Sequence, residues 1–128
     1  MRSLSILVAD DEESMRAVLR QLLTKAGHDV VTVGNAREAG EPLRQRTFDL
    51  VITDVLMPEG DGVDLIAEVK KQQPRARIVA ISGGGRYLES GDYLKLATGL
   101  GAHSALNKPF NGEQLQAAMA KALEQDHA

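Results

Sequence analysis

The chain has no cysteine and no tryptophan in 128 residues. The lack of cysteine excludes disulfides and thiolate metal sites and fits a reducing compartment. No charge dominates: 15 Lys and Arg stand against 18 Asp and Glu, a net charge of −3. That balance carries no nucleic-acid footprint. Long apolar runs are also missing. The first, residues 6–9, is far too short for a signal peptide or a membrane span. There is no internal repeat, linker or low-complexity stretch. What is present, 43% hydrophobic and 26% charged residues, is ordinary for a globular domain. The length is that of one domain, able to bury roughly two-thirds of its unfolded surface in a single core. The expectation is one cytoplasmic domain over residues 1–128, with no further domain after Glu124 and no direct contact with nucleic acid or membrane.

The organising stretch is residues 48–58. Phe48, Leu50, Val51 and Ile52 form a short apolar run that predicts a buried strand. It stops on a carboxylate, Asp54, and Pro58, Gly60 and Gly62 then keep the following loop irregular. In open parallel sheets, ligand chemistry collects at the carboxyl ends of the strands. Asp54 is therefore either a loop cap or a reactive group.

The rest of the chain repeats one pattern. Residues 4–9 predict a strand ending on Asp10 and Asp11, and Glu12 and Glu13 follow as solvated charges. Met15, Val18, Leu19, Leu22, Leu23 and Ala26 recur at helical spacing, with Gly27 as the stop signal. A short strand over 30–33 precedes a helix over 36–45, opened by Asn35 and Glu38 at capping-box spacing. Pro42 inside that helix predicts a kink or a late start. After the central strand, Asp61 is expected to cap a helix carrying Leu65, Ile66 and Val69. A fourth strand over 77–82 ends on Ser82, and glycine-rich residues 83–91 follow. Tyr93, Leu94, Leu96, Ala97 and Leu100 mark a helix, and residues 104–107 a weak fifth strand ending on Lys108. Asn111 with Gln114 opens a last helix bearing Leu115, Ala118, Met119, Ala122 and Leu123. Five strands alternating with five helices imply an α/β fold, a parallel sheet covered on both faces. His28 reads as a turn residue and His103 as a strand-edge residue.

Right-handed crossovers bring Asp10, Asp11, Asp54, Ser82 and Lys108 to one edge of such a sheet. Carboxylates this close repel, by about 4 kcal/mol for two unit charges 4 Å apart at an effective dielectric near 20. They persist with a cation, a proton or a lysine between them. A hard ion such as Mg²⁺ suits carboxylates, a carbonyl and water, and Lys108 supplies one mobile ammonium for a further anionic oxygen. The set makes a site for a phosphoryl group with Asp54 as nucleophile.

These motifs, in this order, resemble the receiver domains of response regulators in two-component signalling. The residues that carry the resemblance are Asp10-Asp11, Asp54-x-x-Met57-Pro58-x-x-Asp61-Gly62, Ser82 and Lys108-Pro109-Phe110. The resemblance implies a flavodoxin-like sheet of order 2-1-3-4-5. Asp54 would take a phosphoryl group from a sensor histidine kinase or a histidine phosphotransfer protein. Asp11, Asp54 and the Leu56 backbone carbonyl would bind Mg²⁺, with Asp10 acting through a water. Lys108 and Ser82 would contact the phosphoryl oxygens, and the Lys108–Pro109 bond would be cis. The partner surface would comprise the helix over 92–100, the strand over 104–107 and the helix over 112–124.

Three positions depart from the family pattern. Ala105 stands where receivers usually carry an aromatic switch residue, so the 83–91 loop, with Tyr87 or Tyr93, is the expected mobile element. Leu56 and Gly84 offer no polar group to position an attacking water, so unassisted loss of the phosphoryl group is expected. Read singly, Asp54 is a strand-end cap, Asp10-Asp11 a helix N-terminal device and Ser82 a turn residue; together they favour the phosphoacceptor. The Gly83-Gly84-Gly85 run lacks the Gly-Lys-Ser/Thr of a phosphate-binding loop. Three functions remain: a signalling receiver that is not an enzyme in the ordinary sense, a pseudo-receiver that binds partners without chemistry, and an aspartyl-phosphate hydrolase. The retained acids and lysine favour the first.

Overall fold

The computed structural model describes residues 3–55, 62–82, 99 and 101–124. Five parallel strands form one sheet in the order β2-β1-β3-β4-β5. They are β1 Ser5–Ala9, β2 Asp29–Val33, β3 Leu50–Asp54, β4 Arg77–Ser82 and β5 Ser104–Asn107. The described α-helices are α1 Glu13–Lys25, α2 Gly40–Gln45, α3 Gly62–Gln72 and α4 Gly112–Glu124, with a 3₁₀ turn at Arg37–Ala39. Four α-helices are thus described where the sequence predicts five. The remaining one, over 92–100, lies outside the described residues apart from helical Gly99, as do Leu56, Asp61 and the 83–91 loop.

Strand side chains alternate between the two faces, and the core divides accordingly. Ile6, Val8, Leu50, Ile52, Val79 and Ile81 face Leu19 and Leu23 of α1 and Leu115, Ala118, Met119 and Ala122 of α4. Leu7, Ala9, Val51 and Ile78 face Leu43 of α2 and Leu65, Ile66 and Val69 of α3. All five residues of β3 are buried, as a central strand covered on both faces requires. Of the apolar positions expected along α1, Val18 is 46% exposed and Ala26 is also exposed. The buried stripe runs through Met15, Leu19, Leu22 and Leu23, which leaves Val18 on the outer side.

The helix ends follow local chemistry. Gly27, at φ 96°, closes α1. Its N–H donates to Thr24 and that of His28 donates to Leu23, the paired bonds of a Schellman turn. Pro42 gives the late start: the chain turns once as 3₁₀ and enters α2 at Gly40, so Pro42 sits in the first turn, where its missing N–H costs nothing. Asn35 Oδ1 accepts the Glu38 N–H at 2.9 Å, and Glu38 Oε1 reaches back to the Gly34 N–H at 2.8 Å. Asn111 and Gln114 form the full reciprocal box ahead of α4, at 2.8 and 2.9 Å.

His28 and His103 are structural. His28 is buried, and its Nδ1 accepts the Leu4 N–H at 3.1 Å. His103 Nδ1 accepts the Ile78 N–H at 3.0 Å, and the His103 backbone N–H donates to the Ile78 carbonyl at 2.8 Å, so ring and backbone together extend the ladder at the start of β5.

Candidate functional site

Parallel strands end at one edge, and register fixes what meets there. Ala9 pairs with Thr53, Asp54 with Ile81, and Ser82 with Asn107. The residues following β1 and β5, Asp10 and Lys108, therefore flank Asp54 at the end of the central strand. The Lys108–Pro109 peptide is cis.

Asp10 is fully buried and Asp54 is 3% exposed. Lys108 Nζ lies 3.0 Å from Asp10 Oδ2, 3.1 Å from Asp54 Oδ2 and 2.7 Å from Glu12 Oε1. Carboxylate oxygens of Asp10, Glu12 and Asp54 all fall within 4.8 Å of one another. Burial by itself pushes the Lys108 ammonium down. Hydrogen bonds to Glu12 and Asp10, with the charges of Asp54 and Asp10, outweigh it and hold the ammonium well above the usual lysine range. The hydrogen bond and charge of Lys108 in turn hold the Glu12 carboxyl below its ordinary value.

Asp10 is locked by its surroundings. Its N–H donates to Val33 at 3.2 Å, its carbonyl accepts Arg16 Nη1 at 2.6 Å, and Oδ1 accepts the Glu12 N–H at 2.9 Å. Only Oδ2 receives no well-formed hydrogen bond, although the ammonium is close enough to pair with it. A buried carboxylate oxygen left in this way is costly unless a cation meets it. Here the Lys108 ammonium meets it at 3.0 Å. One ammonium against three carboxylates whose oxygens lie within 4.8 Å of one another leaves negative charge and an all-oxygen donor set that fit a hard divalent ion such as Mg²⁺.

The backbone beneath Asp54 is equally constrained. Gly62 donates its N–H to Val55 at 3.1 Å, and a Cβ at Gly62 would stand 2.1 Å from the Asp54 carbonyl oxygen. The aspartate–glycine pair at positions 61 and 62 thus ends in a residue with no room for a side chain.

Of the residues expected at this edge, Asp10, Asp54 and Lys108 come together. Asp11 is exposed and its carboxylate is outside the close group. Ser82 ends β4, but its side chain, like the Leu56 carbonyl, lies outside the described part. Two participants escaped the sequence reading. Glu12, taken as a solvated charge, is exposed yet holds Lys108, and Arg16 grips the Asp10 carbonyl. The available signals were a third acid directly after Asp10-Asp11 and an arginine one helical turn beyond it.

A family model described as the response regulator receiver domain matches residues 6–120. The chain is 39% identical over 123 residues to the DNA-binding transcriptional regulator NtrC of Azospirillum brasilense, covering 96% of this chain and 25% of that protein. It is 34% identical over 117 residues to the chemotaxis protein CheY of Thermotoga maritima, covering 91% of this chain and 94% of that one. Among solved structures, NtrX from Brucella abortus matches with a TM-score of 0.87 at 31% identity, over 98% of this chain and 28% of its own. A response regulator receiver domain protein from Clostridium thermocellum matches at 0.81 and 31% identity, over 94% of each chain. The chain thus spans about a quarter of the NtrC relative and nearly all of the CheY relative.

Proposed function

Because the chain belongs to the response regulator receiver domains of two-component signalling, we propose that Asp54 is its phosphoacceptor. The donor is a phosphohistidine on a sensor kinase or a histidine phosphotransfer protein. The observation that carries the reading is the ammonium of Lys108, 3.1 Å from Asp54 Oδ2 and 3.0 Å from Asp10 Oδ2.

An Asp54 oxygen attacks phosphorus, the P–O bond forms as the P–N bond breaks, and the imidazole leaves and takes up a proton. Phosphoryl transfer asks mostly for positioning and charge neutralisation. Lys108 supplies one positive charge and exchanges the Asp54 carboxylate for a phosphoryl oxygen as the bond forms. Burial of Asp54 keeps bulk water from screening that exchange. Asp10, Asp11, Asp54 and the Leu56 carbonyl would hold Mg²⁺, Asp11 turning in from its exposed position. Bound there, the ion would neutralise charge on the transferring group. Ser82 is assigned to a second phosphoryl oxygen. The modified domain signals by protein contact through the 92–100 helix, β5 and α4, or passes the group onward.

Incubation of the protein with Mg²⁺ and a small phosphodonor, read by intact mass, tests this reading. One phosphoryl adduct on the wild type and none on Asp54→Asn is expected. An adduct that survives Asp54→Asn overturns the assignment.

A further inference from the structure

We propose that Arg16 is a positioning residue for the cation and phosphoryl site, acting through the backbone of Asp10. This deepens the reading above and rests on it.

Arg16 stands in the first turn of α1, its N–H bonded to the Glu12 carbonyl at 3.0 Å. Side chains on a helix lean back toward its N-terminus, which carries this guanidinium over the end of β1. There Nη1 donates to the Asp10 carbonyl at 2.6 Å. The same group lies against Gly34, 3.4 Å from where a Cβ would stand, so it is wedged between the carboxyl ends of β1 and β2. With Arg16 in place, every polar atom of Asp10 has a partner, Oδ2 being paired with the Lys108 ammonium at 3.0 Å. Removing it frees the carbonyl of a fully buried acid whose Oδ2 faces Lys108.

Arg16 could act as a charge or as a clamp, and the two have opposite signs. As a charge, it repels a divalent cation, so its loss should tighten binding. As a clamp, it holds the Asp10 oxygen where a cation needs it, so its loss should weaken binding. Solvent around a partly exposed arginine holds its charge effect to about 5-fold or less in affinity. Groups that orient a metal ligand are commonly worth about 10–100-fold in affinity. The clamp dominates.

The test is Mg²⁺ titration of the whole chain by calorimetry, for wild type, Arg16→Met and Arg16→Lys, with thermal unfolding in metal-free buffer. Met keeps the apolar stem and removes both donor and charge. Its Mg²⁺ affinity is expected to fall by about 10-fold, with Lys between Met and wild type because it keeps one donor. Should Arg16→Met fail to fold, Arg16→Lys against wild type decides, and weaker binding is expected. Equal or tighter binding by the variants overturns the inference and leaves the phosphoacceptor reading intact. Failure of the wild type to bind Mg²⁺ overturns both.

Discussion

Substituting Gly62 by alanine tests how the phosphoacceptor strand is held. The new Cβ would stand 2.1 Å from the Asp54 carbonyl oxygen and 2.7 Å from Val55 Cα. Both are buried backbone atoms, at the last residue of β3 and the one after it, so no side chain can swing away. The described glycines with left-handed φ are Gly27 and Gly101, so the penalty at Gly62 is overlap rather than dihedral strain. Overpacking costs about 1–3 kcal/mol, and the upper end applies where backbone meets backbone. Loss of glycine's freedom in the unfolded chain returns about 0.4–1 kcal/mol. The net loss is about 2 kcal/mol, or roughly 6–10 °C in Tm for a domain of this size. Thermal unfolding followed by far-UV circular dichroism reads the stability. Mg²⁺ titration of the folded variant reads the displacement of Asp54, and weaker binding is expected. A variant with wild-type Tm and wild-type Mg²⁺ affinity would refute this account of the close approach.

Three further outcomes are expected. Glu12→Gln should weaken Mg²⁺ binding, because the site loses a negative charge, while Tm barely moves since an exposed ion pair is worth about 0–1 kcal/mol; tighter binding in calorimetry contradicts this. His103 is held below the ordinary histidine range by burial, then by the charges of Lys70 and Arg77, so the unfolded chain takes up its proton first as pH falls. Stability should therefore decline below about pH 6.5, and His103→Gln should flatten the Tm profile between neutral and mildly acidic pH; an unaltered profile counts against the Nδ1 acceptor role. Asn111→Ala removes the cap of α4 and should cost about 1 kcal/mol in urea unfolding, whereas a midpoint equal to wild type would mean that the box contributes nothing.

The sequence made β1, β3 and β4 legible because each is a short apolar run that stops on a polar residue, and the pairing of Ala9 with Thr53 brings Asp54 beside Asp10. It made the helix ends legible where chemistry is local: Gly27, Asn111 with Gln114, and the displacement caused by Pro42. Side-chain direction was less readable. Asp11 follows Asp10 immediately, yet one is exposed and the other buried, a difference set by how the chain leaves β1. Glu12 and Lys108 are 96 residues apart, and nothing local says that a long exposed side chain will reach over the sheet edge. Ala105 sits with Val55 and Ala80 in a small apolar cluster beside the site, so the position of the expected aromatic ring is filled by packing among small side chains. The 83–91 loop offered as the alternative mobile element lies outside the described residues.

The most direct measurement is phosphotransfer from a phosphorylated histidine kinase, trapped by borohydride reduction and mapped by peptide mass. An aspartyl phosphate is reduced to homoserine, so the account predicts homoserine at position 54 and nowhere else, and its loss in Lys108→Met. Homoserine at Asp10 or Asp11, or a modified histidine in place of any modified aspartate, would contradict it.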